Sequence, residues 1–342
     1  MKKLLNTLYV LTRDSYLFCR NENICVRIGD MEKLSVPALN IDSIVCFGKM
    51  TVSTPLLEFC GSHGISLTFI RENGRFMGRL QGPVSGNVLL RKRQYASMED
   101  AAFAQRTVQS ILLAKLRNSK LVLMRVARTE RAGAYKEELM LGVQQLNEAV
   151  ANLLECSSVD SMRGIEGAAA TSYFARFDCM LAGNPGGFRF DTRSRRPPRN
   201  EVNAALSFTY MLLSGQMQSA MEAVGLDPAA GYLHTLRPGR ASFALDLIEE
   251  LRAPLCDRFV LSLFNKGQLS RSDFDQDEEM VSLNERGHRT LLSAWEKRKQ
   301  EQIVHPFLKE KVPIGLIPYV QAMLFARVLR GDLDDYPPFV WR

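Results

Sequence analysis

The chain has 342 residues, 46% of them apolar and 24% charged. That is the balance of a globular protein long enough for two separate cores, and it excludes a disorder-dominated chain. Forty-four Lys and Arg against 37 Asp and Glu give a net charge of +7 and a pI near 9.1, which favours a polyanionic partner without requiring one. The seven cysteines form no CxxC pair and no zinc-ligand spacing, which suits a reducing compartment. No apolar run approaches the roughly eighteen residues of a membrane span, so a cytoplasmic protein is expected.

The opening MKKLLNTLYVLT reads as a first strand rather than a signal peptide: Asn6 and Thr7 interrupt it, Arg13-Asp14 end it, and no small-residue cleavage site follows. Up to about Leu90 the chain is a series of short β-type segments: Leu8–Leu11, Tyr16–Cys19, Ile24–Ile28, Ile44–Phe47, Ser66–Ile70 and Phe76–Leu80. Turn residues separate them at Asn21-Glu22-Asn23, Gly29-Asp30 and Glu72-Asn73-Gly74. One helix interrupts the series, with Thr54-Pro55 supplying a cap and a first-turn proline and Gly61 to Gly64 ending it. The character changes within residues 85–100. Helical patterns then cover 88–155, 160–182, 200–224, 243–265, 282–302 and 313–330. Asp273 to Glu279 carries five acids in seven residues and reads as a solvated, mobile loop.

The expected fold is therefore α+β: a small β-sandwich-like N-terminal domain (1–90), a larger all-α domain (91–335) and an extended tail (336–342). The tail's prolines keep it extended, and Phe339 and Trp341 must dock on this chain or on a partner.

The most informative stretch is Gly225 to Asn265. His234 stands twelve residues before Asp246 and fifteen before Glu249, with a turn between and a helix beneath the carboxylates. Leu245, Ile248, Leu251, Leu255 and Phe259 define its apolar face. On that helix Glu249 falls beside the apolar face, while Glu250 points further towards solvent. Two sheltered acids repel one another, and a divalent cation relieves the repulsion. The alternative is a solvated acidic strip.

A third ligand is needed, since catalytic metal sites commonly offer three protein groups. Glu166 is the candidate, in a run whose small residues Gly167 to Ala170 would let another backbone pass close. It could equally be a first-turn acid favoured by the helix dipole. Between Glu166 and His234, Arg189, Arg193, Arg195, Arg196 and Arg199 fall within eleven residues, stiffened by Pro197-Pro198. Guanidinium groups beside an oxygen-rich site suggest a phosphodiester substrate. Two carboxylates with one imidazole suit Mg²⁺ or Mn²⁺.

Several segments together carry a resemblance: Asn87-Val-Leu-Leu-Arg-Lys-Arg-Gln94, Ile165-Glu-Gly-Ala, Arg196-Pro-Pro-Arg-Asn-Glu-Val-Asn203, Gly225-Leu-Asp-Pro, His234, and Ala244-Leu-Asp-Leu-Ile-Glu-Glu-Leu-Arg252. The chain resembles the CRISPR-associated integrase and endonuclease family, Cas-one, and most of all its subtype I-C members. The resemblance implies metal ligands at Glu166, His234 and Glu249, with Asp246 as a further acid near the site. It also implies a homodimer whose N-terminal domain serves dimerisation and DNA-end contacts, flanking a companion, Cas-two. That assembly would insert captured double-stranded DNA with 3′-hydroxyl ends into a CRISPR repeat array.

In that setting the bound cation would act as a Lewis acid on a DNA phosphate attacked by a 3′-hydroxyl or by water. Arg193, Arg195, Arg196, Arg237 and Arg240 would grip phosphates, Asp246 would hold a water near the ion or orient His234, and the tail would contact the companion. A general repair nuclease and a non-enzymatic DNA-binding scaffold are the alternatives.

Overall fold

A computed structural model describes residues 6–71, 76–80, 82, 88–278 and 280–341. The chain's first five residues, the turn expected at Glu72-Asn73-Gly74, Asn87 and Glu279 lie outside the described residues.

The N-terminal region is β-rich. Strands β1 (Asn6–Val10), β5 (Ile41–Phe47), β7 (Ser66–Ile70) and β8 (Phe76–Leu80) form one four-stranded sheet in the order β1-β5-β7-β8, with only the last pair antiparallel. A second sheet has the order β4-β3-β2-β6, from β2 (Ser15–Arg20), β3 (Asn23–Ile28), β4 (Met31–Pro37) and β6 (Met50–Val52). Leu17 and Ile24 of the second sheet share a core with Ile44 and Leu67 of the first. The β2–β3 hairpin turns through Asn21 and Glu22, both at positive φ, the backbone a two-residue hairpin needs. Strand β4 escapes sequence reading because it is mostly exposed and pairs only with β3, so its Glu-Lys-Leu-Ser run carries no buried alternation. Helix α1 (Thr54–His63) is capped one residue earlier than expected, since the Ser53 hydroxyl accepts from Leu56 N–H.

The remainder is mainly helical: α2 (Val88–Glu99), α3 (Ala101–Ala127), α4 (Lys136–Glu155), α5 (Val159–Ala175), the short α6 (Phe177–Met180), α7 (Glu201–Val224), α8 (Ser242–Leu251) and α9 (Arg258–Asn265). Within the acidic stretch expected to be a mobile loop, Phe274–Asp277 is a strand. Strand β9 (Phe274–Asp277) pairs antiparallel with β10 (Met280–Leu283), and Asp273 caps the preceding turn while pairing with Arg286 at 2.6 Å. Helix α10 (Glu285–Gln300), the pair β11 (Gln302–Val304) and β12 (Lys311–Pro313), and α11 (Ile317–Arg330) complete the chain.

Helix α8 sits at the centre, against α3, α7 and α11. The single helix expected over 243–265 is broken by a π-helical turn at Arg252–Asp257. Pro254 has no N–H to give to the Glu250 carbonyl four residues back; the Asn118 side chain donates to that oxygen instead, at 2.7 Å. The same Asn118 donates to Phe339 O and accepts from Trp341 N–H, so the C-terminal tail is stitched to α3 and α8. Tyr336 and Phe339 are buried in the chain's own helical core. Among the described residues, no helix is long and apolar enough to cross a membrane.

Candidate metal centre

The site is assembled from a loop and three helices. The loop carrying His234 is held by Asp246 on α8, whose carboxylate accepts the backbone N–H groups of Tyr232 (2.7 Å), Leu233 (2.9 Å) and His234 (2.9 Å). Its Oδ1 also lies 2.6 Å from His234 Nδ1. A carboxylate that accepts there places the imidazole proton on Nδ1 and leaves the Nε2 lone pair open for a ligand. Gly231 permits this wrap: a Cβ at that position would stand 2.7 Å from Asp246 Oδ2 and 2.7 Å from the Phe243 nitrogen.

One turn along α8 from Asp246, Glu249 is buried, with its side chain 4% exposed. His234 Nε2 is 3.7 Å from its Oε1. Arg252 Nη1 holds the same oxygen at 2.6 Å, and the guanidinium lies over the Tyr210 ring. Burial alone would push the Glu249 carboxyl upward, but Arg252, then Lys115 and His234, outweigh it and hold the group well below the usual carboxylate range.

Glu166 comes from α5, where it stands two turns into the helix and is not a first-turn acid. Arg163, three residues earlier, donates through Nε to Leu233 O at 2.6 Å, which ties α5 to the histidine loop. Within the small-residue run Gly167 to Ala170, Gly167 itself faces open space, since a Cβ there would meet nothing within 4 Å, and Ala169 is the buried member. Glu166 and Glu249 are brought together by Lys115 of α3, whose ammonium is ion-paired with Glu166 Oε1 and lies 2.6 Å from Glu249 Oε2.

Among the described residues, no three His, Cys, Asp or Glu side chains already form a ligand set, because Lys115 and Arg252 engage the carboxylates. The donors nonetheless fit a hard divalent ion. Two carboxylates share one cation, Lys115, and an oriented imidazole stands 3.7 Å from the other oxygen of Glu249.

Glu250, expected to face solvent, is fully buried. It accepts from Tyr336 Oη (2.7 Å), Gln321 Nε2 (2.8 Å) and Phe339 N–H (3.1 Å). Burial pushes its carboxyl up to about 7 despite those bonds. Helix α8 is covered on every side, so an amphipathic wheel misplaces its fourth face.

The arginines divide. Arg193 is committed inward: it donates to Ser194 O, Asn203 Oδ1 and Ser207 Oγ and lies over the Tyr210 ring, so it is not a surface phosphate grip. Arg195, Arg196 and Arg237 are exposed, Arg240 is half-buried, and Arg195 lines the same small cavity as Lys115 and Glu249. Asn200 caps α7, whose Asn203 staples the loop.

Lys115 and Arg252 escaped sequence reading. Arg252 had a legible signal, three residues after Glu249 on one helix. Lys115 had none, because its partners are remote in the chain.

Residues 8–297 match the family model described as CRISPR associated protein Cas1. The chain belongs to the Cas1 family. A CRISPR-associated endonuclease Cas1 of Chlorobaculum tepidum is 44% identical over the whole of both chains, and one of Rhodospirillum rubrum is equally so. The Cas1 fold is also shared with a CAS1 protein from Thermotoga maritima (TM-score 0.82, 23% identity, 96% and 97% of the two chains). A casposase bound to integration product has TM-score 0.83 and 21% identity over 99% and 95% of the chains. The chain's N-terminal β-rich region and helical C-terminal region together are thus similar in fold to these solved structures.

Proposed function

We propose that this Cas1 family member is a CRISPR adaptation integrase: a metal-dependent DNA endonuclease and strand transferase that inserts captured DNA fragments into a CRISPR repeat array. The observation that carries this reading is that Glu166 and Glu249 share one cation, Lys115, while His234 Nε2 stands 3.7 Å from the other oxygen of Glu249, the three coming from separate parts of the chain. We read Glu166, His234 Nε2 and Glu249 as the residues that would hold Mg²⁺ or Mn²⁺. When bound, the ion supplies Lewis-acid stabilisation of charge developing on a scissile phosphate. Asp246 fixes the histidine's tautomer and aim, and Arg252 fixes Glu249. Arg195, Arg196, Arg237 and Arg240 bind phosphates of the incoming DNA. With a 3′-hydroxyl as attacker the product is a joined strand; with water it is a cut one.

The quoted motifs support subtype I-C membership. The partners proposed with it are a second copy of the chain, Cas2, double-stranded DNA with 3′-hydroxyl ends and the repeat DNA, in the cytoplasm. Domain limits at 90 and 335 belong to the same reading. So does a sandwich-like N-terminal unit, supported by the core that its two sheets share.

The test joins purified protein, labelled 3′-hydroxyl DNA and a supercoiled target, with and without Mn²⁺. Strand transfer that requires the metal and is lost in Glu166→Ala and His234→Ala, both still folded and DNA-binding, is the expected result. Transfer at the wild-type rate by either variant refutes the assignment. EDTA-insensitive binding without activity would support a scaffold, and cutting of branched DNA without transfer a repair nuclease.

A further inference from the structure

Both Glu166 and Glu249 direct an oxygen at the ammonium of Lys115, in a place where Glu249 is nearly dry and the lysine's own side chain is only 13% exposed. Two such carboxylates cannot approach one another unless positive charge stands between them. The other nearby cation is differently held. Arg252 bonds Glu249 Oε1, the other oxygen of that carboxylate, and lies over the Tyr210 ring. Its planar group is fixed by the fold, whereas Lys115 reaches its position on a flexible four-carbon stem. Lys115 Nζ stands 2.6 Å from Glu249 Oε2, the edge of the carboxylate that Arg252 does not occupy. The contact is an ion pair that a better-placed cation can replace. The base of the lysine is anchored, since Asn118, one turn further along α3, is bonded to Glu250 and to the tail. A small cavity lined by Lys115, Ser119, Tyr173 and Arg195 adjoins the stem and gives the ammonium room to move.

We propose that Lys115 is the resident counter-cation of the metal centre, holding Glu166 and Glu249 together until a divalent ion takes its place, and that it thereby lowers the affinity for that ion. This rests on the reading of Glu166, His234 and Glu249 as metal ligands and adds a device that controls loading of the same site. A divalent ion gains the two carboxylates only by displacing a positive charge that already neutralises them. The remaining ammonium then adds repulsion at close range.

The experiment titrates full-length protein with Mn²⁺ and follows free hexa-aquo Mn²⁺ by electron paramagnetic resonance, for wild type, Lys115→Met, Lys115→Gln, Lys115→Arg and Glu249→Gln. Both neutral variants are expected to bind Mn²⁺ at least about tenfold more tightly than wild type, while Lys115→Arg gains nothing. Their thermal midpoints without metal should lie below wild type, and their rise on adding Mn²⁺ should exceed it. Lys115→Gln leaves a donor between the carboxylates, so the comparison survives if Lys115→Met does not fold. Unchanged or weaker Mn²⁺ affinity in the folded neutral variants, alongside loss of binding in Glu249→Gln, overturns the role of Lys115 alone. Equal binding, or none, in wild type and Glu249→Gln overturns the metal-centre reading and this inference with it.

Discussion

Arg193, Arg195 and Arg196 are near neighbours in sequence with different tasks, and the difference lies in what their guanidinium groups touch. Asn203 and Ser207 on α7 draw Arg193 inward, whereas the other two remain exposed. Arg193→Ala is therefore expected to lower stability by about 1–3 kcal/mol, by leaving the Asn203 carbonyl short of a donor. The pair Arg195→Ala and Arg196→Ala should leave stability within about 0.5 kcal/mol. It should weaken duplex binding across sequences and flatten the dependence of log affinity on log salt by about two. Urea denaturation and binding at several salt concentrations separate the two effects; a stability loss in the Arg195/Arg196 variant that matches Arg193→Ala would contradict the division. A run of basic residues shows its charge in sequence, but not which members the fold turns inward. Asp246 was more legible: the family resemblance marked it as a further acid near the site, and the structure adds its contact with His234 Nδ1 and the three backbone N–H groups that hold it.

At the scale of the element, α8 explains both what could and what could not be read. Its spacing of Asp246 and Glu249 was visible, but the surroundings of Glu250 depend on α11 and the tail, which no local pattern reports. Burial raises Glu250 from an ordinary 4.5 to about 7, so the folded chain keeps a proton that the unfolded chain releases between those values. The group's contribution to stability is thus full below about pH 4.5 and is lost as pH rises to about 7, a swing on the order of 3 kcal/mol. Glu250→Gln removes the titration. The stability difference between wild type and Glu250→Gln, from denaturant unfolding at pH 5 and pH 7.5, should move against wild type at the higher pH. Parallel pH profiles would show that Glu250 does not titrate in this window. The difference is the quantity to compare because His288, buried and lowered to about 4, works the other way: its contribution is present above about pH 6.5 and is lost on acidification.

For the whole molecule, the division into a β-rich start and a helical remainder was legible because the hydrophobic period changes from two to 3.6. Six of the eight N-terminal strands among the described residues were legible, five of them with buried positions and β8 from its turn-bounded apolar run. The exposed edge strand β4, the three-residue β6 and the acidic β9 were not, since pairing rather than a buried alternation defines them. The tail's aromatics seal the helical core and, through Asn118 and Glu250, brace the two helices that carry Lys115 and Glu249. That placement removes the sequence-based reason for assigning them to a partner. The site itself is a property of the folded chain: α3, α5, α8 and the histidine loop each supply one member, and only packing shows that they meet. Its central claim is that Glu166, His234 and Glu249 hold a single ion. Anomalous diffraction from crystals grown with Mn²⁺ tests this most directly. One peak within bonding distance of a Glu166 oxygen, His234 Nε2 and a Glu249 oxygen, with Lys115 moved aside, is the expected outcome; full Mn²⁺ occupancy elsewhere, with Lys115 still between the two carboxylates, would contradict it.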